Sequence, residues 1–226
     1  MELTYLGHAC FQLTTGSHSL LFDPFISGNP QAQAIDIHEL KADYILLSHG
    51  HQDHVLDVQT IYQQNQAQII ANFEVATWFQ NQGLERVIPM NHGGQKDFDF
   101  GTLKMVNAVH SSSMPDGSYG GNPIGFVLQT GDYCLYYAGD TALHMDMKLI
   151  ADRFTVNAAI LPIGDHFTMG IEDALVAAEF VKTNKIIGMH YDTFPPIEID
   201  HKAAKNLADS QGKELILMQI GSSIKL

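Results

Sequence analysis

The sequence predicts a mixed α/β chain in which two sheets pack together with helices outside, as one compact domain over residues 1–226. Three observations lead there. Strand-type and helix-type patterns occur in both halves of the chain. No low-complexity linker divides it, and no repeat at solenoid spacing is visible. Its 226 residues, 45% hydrophobic and 16% charged, suffice for a sizeable core.

The elements follow in order. Leu3 to Leu6, Cys10 to Thr14 and Ser19 to Phe22 are strand-like, joined by turns at Gly7-His8 and Thr15-Gly16-Ser17. A loop rich in Gly, Pro, Gln and Ala runs from Pro24 to about Ala34, and Asp43 to Leu47 is a short apolar run suited to a buried strand that ends at Ser48. Beyond Leu56 the period lengthens. Val58, Ile61 and Tyr62 are helically spaced, as are Val75, Trp78 and Phe79, with a strand at Gln68 to Ala71 between them and Gly83 as the second helix's stop. Phe98 to Phe100 and Leu103 to Val109 pair across Gly101, and Ile124 to Gln129 and Tyr133 to Tyr137 form a hairpin around Thr130-Gly131-Asp132. The last third alternates: strand Ala158 to Ile163, helix Ile171 to Thr183 capped by Thr168, strand Ile186 to Met189, helix Ala203 to Asp209, strand Leu215 to Ile220.

The charge balance narrows the function. Twelve Lys and Arg face 25 Asp and Glu, a formal net charge of −13, which argues against a nucleic-acid partner. No stretch is long and apolar enough to cross a bilayer, and the first residues lack the basic and apolar regions of a secretory signal. The two cysteines, Cys10 and Cys134, form no metal-type pair and suit reduced, buried thiols, so the expected location is the cytoplasm. Histidine is the outlier, with 12 copies. A chain rich in His and poor in Cys invites a search for nitrogen and oxygen metal sites.

That search finds His49-Gly50-His51-Gln52-Asp53-His54 directly after the Asp43 to Leu47 strand. Four potential ligands in six residues do not make a regular helical face. They suit a loop folded around a cation, with Gly50 easing the turn. Chance would produce the pattern on the order of a few times in a thousand such chains. Three more candidates each close an apolar strand: His110, Asp140 and His190. Singly, each is as well explained by a hydrogen-bonded histidine or a turn aspartate. Strand ends at one rim, however, place such residues around one cleft.

This set resembles the ligand pattern of the metallo-β-lactamase superfamily. The wording around it resembles the UPF0173 metal-dependent hydrolases, through Gly7-His8-Ala9-Cys10-Phe11, Leu21-Phe22-Asp23-Pro24, Ala138-Gly139-Asp140-Thr141, Leu161 to Gly170 and Met189-His190-Tyr191. The resemblance implies a four-layer αββα sandwich with two divalent metal ions at one edge. Zinc is the first expectation, with manganese, iron or nickel compatible with the same ligands. It implies that His49, His51 and His110 bind the first ion, that Asp53, His54 and His190 bind the second, and that Asp140 bridges them. Asp23 would orient a ligand histidine from behind. Two ions that share a hydroxide bring the pKa of bound water toward roughly 7, so the implied activity is hydrolysis of an ester, lactone, thioester, amide or phosphoester in a small molecule. Asp53, His166 and His8 are the catalytic candidates, the two histidines through substrate contact, proton donation or bracing of a loop. Asp165 stands where many relatives carry a second glycine. His18, His38, His92, His144 and His201 take the surface or structural reading, His144 least securely because it lies just past Asp140.

Alternatives remain within and outside the superfamily. A flavodiiron-type redox member typically has Glu at the position of His51 and a flavodoxin-like domain, and neither is present. A single-iron persulfide-dioxygenase-like site would not need Asp53, His54 and His190 together. An RNA-processing nuclease usually carries an added arm. A metal-dependent small-molecule binding module without turnover is the competitor from another class. The expected partner is a small-molecule substrate, with no nucleic acid and no membrane, and a homo-oligomer is compatible with the sequence.

Overall fold

The computed structural model describes residues 1–226. In chain order the elements are β1 (Glu2–Gly7), β2 (Cys10–Thr15), β3 (His18–Phe22), β4 (Tyr44–Leu46), α1 (Gln52–Val55), α2 (Val58–Asn65), β5 (Gln68–Asn72), α3 (Phe73–Asn81), β6 (Val87–Met90), β7 (Gln95–Phe98) and β8 (Gly101–Asn107). There follow β9 (Ile124–Thr130), β10 (Tyr133–Tyr137), α4 (Met147–Ala151), β11 (Ala158–Pro162), α5 (Ile171–Phe180), β12 (Lys185–Met189), a 3-10 turn at Pro195–Ile197, α6 (His201–Ser210), β13 (Glu214–Ile216) and β14 (Ser223–Lys225). They divide into two units, one of Met1–His92, Ser111–Pro123 and Gln219–Leu226, the other of Gly93–His110 and Ile124–Met218.

The first unit holds a seven-stranded sheet in the order β14-β1-β2-β3-β4-β5-β6. Its first three pairings are antiparallel and its last three parallel. Phe22 lies opposite Leu46, and Leu46 opposite Ile70. The chain therefore leaves β3 and β4 side by side, at Asp23 and Leu47-Ser48. Helices α2 and α3 bury Val58, Ile61 and Tyr62, and Val75, Ala76 and Phe79, in one cluster with Ile45, Leu47 and Ile69. Each large apolar side chain so buried contributes roughly 1.5–3 kcal/mol. Asn72 caps α3 by accepting the Val75 N–H at 2.8 Å. Gly83 ends it as expected, at φ +88, with Gly83 N donating to Gln80 O and Leu84 N to Phe79 O.

The second unit repeats this plan in the order β13-β12-β11-β10-β9-β8-β7. Read from β7, three antiparallel pairings are again followed by three parallel ones. Tyr137 pairs with Ile160, and Pro162 with Met189. The ends of β10, β11 and β12 thus lie along one edge, where Asp140, Gly164 and His190 follow. β8 runs in the same direction two strands away. Beyond it Val109 N donates to Thr141 Oγ1 and Ala142 N to Val109 O, each at 2.9 Å, which brings His110 to the same edge. α5 buries Leu175 together with Ala174, Ala177 and Ala178, and the three alanines are small enough for close packing.

Several expected elements change. Thr168 does not cap α5: the N-cap is Gly170, and Thr168 Oγ1 instead donates to Met169 O. The helix stops at Phe180, where Lys182 takes the left-handed conformation. Leu215 to Ile220 is not one strand. β13 ends at Ile216, and the chain crosses to pair Ser223 with Thr4 as β14. β6 went unforeseen because Pro89 interrupts its pattern. β7 covers Gln95–Phe98, earlier than the predicted Phe98 to Phe100. The four-residue α1 and five-residue α4 are too short for periodicity to reveal.

Both cysteines are free and buried. Burial pushes the Cys10 thiol well above its usual range, with Asp23 and Asp57 adding to the effect, and lifts Cys134 to about 11. At about pH 8 both stay protonated. A disulfide reagent should therefore modify the native protein at less than about one-hundredth of the rate seen in urea, where both thiols react. Rapid modification of either thiol without denaturant would contradict this burial.

Candidate metal centre

In the first unit the chemistry begins with a buried carboxylate. Asp23 has no solvent exposure and follows β3 with φ +40. Its Oδ1 accepts the Ser48 N–H at 2.7 Å, and its Oδ2 accepts the Ser48 hydroxyl at 2.5 Å. His54 Nδ1 lies 2.8 Å from the same Oδ2. Ser48 Oγ is also 2.9 Å from His49 Nδ1. One carboxylate and one hydroxyl thus occupy the Nδ1 sides of both His49 and His54, leaving Nε2 as the outward atom of each ring.

The motif loop is extended through His51 and then makes the single turn α1. Asp53 and His54 are therefore helical rather than in open loop, and the turn sets them side by side. His49 Nε2 lies 3.0 Å from His51 Nδ1. Gly50 is needed for space, not for a left-handed backbone. A Cβ there would stand 2.4 Å from Met114 Sδ and 3.1 Å from Ser113 O, and Gly50 N donates to Ser112 Oγ. His8 is buried, at φ +56, with Nε2 3.1 Å from Asp53 Oδ2 and its ring edge-on to His54.

In the second unit Asp140 is the focus. Its Oδ2 lies 3.0 Å from His190 Nε2 and 3.6 Å from His110 Nε2. His190 sits at φ +57, and its loop is pinned from outside. Asp192 N donates to Ile197 O at 2.8 Å, Asp192 Oδ1 accepts Ile199 N–H at 3.0 Å, and Asp192 Oδ2 lies 2.5 Å from His201 Nε2. Gly164 presses on the same loop, where a Cβ would meet His190 O at 2.1 Å, so only glycine fits.

Sequence reasoning missed this clamp and placed His201 among the bland surface histidines. It also missed Ser48 and Ser112. Their roles depend on folded proximity, and no local pattern announces them. His166 is exposed at the tip of the Gly164–Gly170 loop, edge-on to Phe167, and joins no ligand group. His144 also joins none, and burial lowers its pKa against the opposing pull of Asp146 and the Asn107 backbone.

The donors are imidazole nitrogens and carboxylate oxygens, a set suited to zinc and related divalent ions. His8, Asp53 and His54 bring one ligand atom each within 4.8 Å of one another. His49 and His51 face nitrogen to nitrogen, which is favourable only with a proton or cation between them. The first unit's donors and the Asp140 group each fit a divalent cation on this ground. Asp23→Asn keeps the shape but removes the charge that aligns His54. It should weaken metal binding about 10–100-fold, measured by competition with a chromophoric chelator, while circular dichroism stays unchanged. Unaltered affinity would confine Asp23 to a folding role.

A beta-lactamase superfamily domain model matches residues 2–190. A UPF0173 metal-dependent hydrolase of Flavobacterium johnsoniae is 52% identical over 226 residues, which is 100% of both chains. Among solved structures, Igni18, a metallo hydrolase from the archaeon Ignicoccus hospitalis, superposes with a TM-score of 0.89 at 30% identity, over 99% of this chain and 97% of that one. The metallo-beta-lactamase fold protein YhfI of Bacillus subtilis gives a TM-score of 0.77 at 14% identity over 99% and 98%, a likeness of fold alone. The α/β sandwich of the metallo-β-lactamase type expected from the sequence is the one found. On these grounds the chain belongs to the beta-lactamase superfamily and, within it, to the UPF0173 family of metal-dependent hydrolases.

Proposed function

We propose that this chain is a binuclear metal-dependent hydrolase acting on a small molecule. The observation that carries the proposal is the aim of Asp140, one of whose carboxylate oxygens is faced by Nε2 of both His110 and His190. A carboxylate held this way suits a bridging ligand better than a structural ion pair. Family membership supports the remainder: His49, His51 and His110 would hold one ion, Asp53, His54 and His190 the other, and Asp140 both. Zinc suits these donors, as do manganese, iron and nickel.

When bound, such a pair supplies a Lewis acid and a water acidified toward neutrality. The chain's own residues do the rest. Asp23 and Ser48 fix which nitrogen His54 and His49 present. His8 holds Asp53 from the buried side, so its role is to orient that carboxylate rather than to meet substrate. To His166, exposed on a closed loop, this reading assigns contact with substrate or protonation of a leaving group. The net reaction adds water across an ester, lactone, thioester, amide or phosphoester bond. The buried, reduced thiols suit a reducing compartment such as the cytoplasm.

Metal-stripped protein reloaded with zinc or manganese should hydrolyse at least one member of a panel of lactones, thioesters and phosphodiesters. Asp53→Ala should lower that rate by more than about a hundredfold and reduce bound metal, with the fold intact. Full activity in Asp53→Ala would end the two-metal proposal. Tight binding of a panel member without turnover would favour a binding module instead.

A further inference from the structure

The ladder between β8 and β9 stops short of His110. It ends where Asn107 faces Ile124, and Ala108, Val109 and His110 run on beyond it. His190, by contrast, follows β12 directly, and past β10 Ala138 N still donates to Ile160 O at 3.0 Å. The His110 segment is held by a side chain instead. Val109 N donates to Thr141 Oγ1, and Ala142 N returns to Val109 O, each at 2.9 Å. This is a strand-like exchange in which a hydroxyl stands in for one backbone carbonyl.

Thr141 has no solvent exposure. Burial alone favours an apolar side chain there, so the hydroxyl calls for an account. It donates to Ala142 O at 2.8 Å, which leaves its oxygen as the acceptor for Val109. The Thr141 carbonyl is then available to a third segment and accepts Met169 N–H at 3.1 Å. Met169 closes the loop that carries His166: Asp165 N donates to Met169 O at 3.0 Å, and Gly164 pairs with Gly170. One buried residue therefore ties both the His110 segment and the His166 loop to the chain directly after Asp140.

We propose that Thr141 is a positioning residue, whose hydroxyl fixes His110 against Asp140. His110 Nε2 lies 3.6 Å from Asp140 Oδ2, and a segment released from Thr141 loses that alignment. A weaker hold on metal is the consequence. That consequence rests on the binuclear reading, but the positioning of His110 does not.

The test compares three variants. Thr141→Val removes the acceptor, Thr141→Ser keeps it, and Thr183→Val is the matched control. Thr183 is also buried, and its hydroxyl likewise donates to a carbonyl, Asn157 O at 3.1 Å, and accepts an N–H, Lys185 N at 3.3 Å. It lies at the opposite end of β12 from His190. Zinc affinity, read by competition with a chromophoric chelator, should fall about tenfold or more in Thr141→Val. It should stay within about threefold of the unaltered protein in Thr141→Ser and Thr183→Val. In metal-free protein the His110 ring resonances should shift in Thr141→Val and not in Thr183→Val. If Thr141→Val does not fold, hydrogen exchange of the unaltered protein decides. Val109 N–H should exchange about a hundredfold or more slowly than an unprotected amide, although Val109 is 46% exposed. Exchange at the unprotected rate, unmoved His110 resonances in Thr141→Val, or equal effects in Thr183→Val overturn the proposal. A protein that binds no zinc while His110 responds as expected would overturn the binuclear reading alone. Hydrolysis and zinc affinity both unaffected by Thr141→Val would overturn this inference alone.

Discussion

The carboxylate of Asp23, fully removed from solvent, is the constraint from which the first unit's chemistry follows. A buried negative charge is tolerable only if donors converge on it. Here they are the Ser48 N–H, the Ser48 hydroxyl and the His54 ring. Satisfying one charge thereby fixes the ends of two neighbouring strands, one serine rotamer and two imidazole orientations. The parallel register of Phe22 with Leu46 makes this feasible, because it delivers Asp23 and Ser48 to the same edge. Fold and site are thus coupled through a single acceptor.

The second unit solves the same problem on the same plan. β1 and β8 hold matching places in the two sheet orders, and so do β3 and β10. His8 follows β1 and His110 follows β8, while Asp23 follows β3 and Asp140 follows β10. A histidine and an aspartate therefore stand at equivalent strand ends in each half. The halves then diverge. Asp23 is turned to Nδ1 of His54 and lies behind that candidate ligand, whereas Asp140 is turned to Nε2 of two histidines and lies among the candidate ligands. This correspondence is topological, which is why no repeat is visible in the residues themselves.

Legibility in the sequence followed the range of the interactions. The strand ending at Ser48, the histidine-rich turn after it and the strand-closing His110, Asp140 and His190 are local patterns, and each sits at a strand edge as expected. Helix stops with left-handed glycine were readable too, as at Gly83. What stayed hidden depends on contacts between distant segments. The Asp192–His201 clamp needs a left-handed turn and the start of α6 to meet. Ser112 braces Gly50 across 62 residues. His8 was legible as a motif residue, but its burial and its contact with Asp53 were not.

The backbone shows where the fold concentrates its cost. Eight residues other than glycine have a positive φ. Gln66 and Lys182 are accounted for by helix ends. The other six are His8, Asp23, Asp165, His166, His190 and Asp192, all in loops that carry or hold candidate ligands and catalytic groups. Left-handed conformations cost about 1 kcal/mol or more each, though Asp and His tolerate them better than most side chains. Glycine at any of the six would relieve that strain and discard the donor or acceptor. The retained cost is a sizeable part of the roughly 5–15 kcal/mol by which a domain is stable. It is sustainable because the strands feeding these loops, β1, β3, β11 and β12, are buried over the three residues that lead into each loop. Rigid strands overdetermine the loop ends, so the strained residues have no cheaper geometry within reach, and their side chains keep the aim on which any chemistry at the strand edge depends.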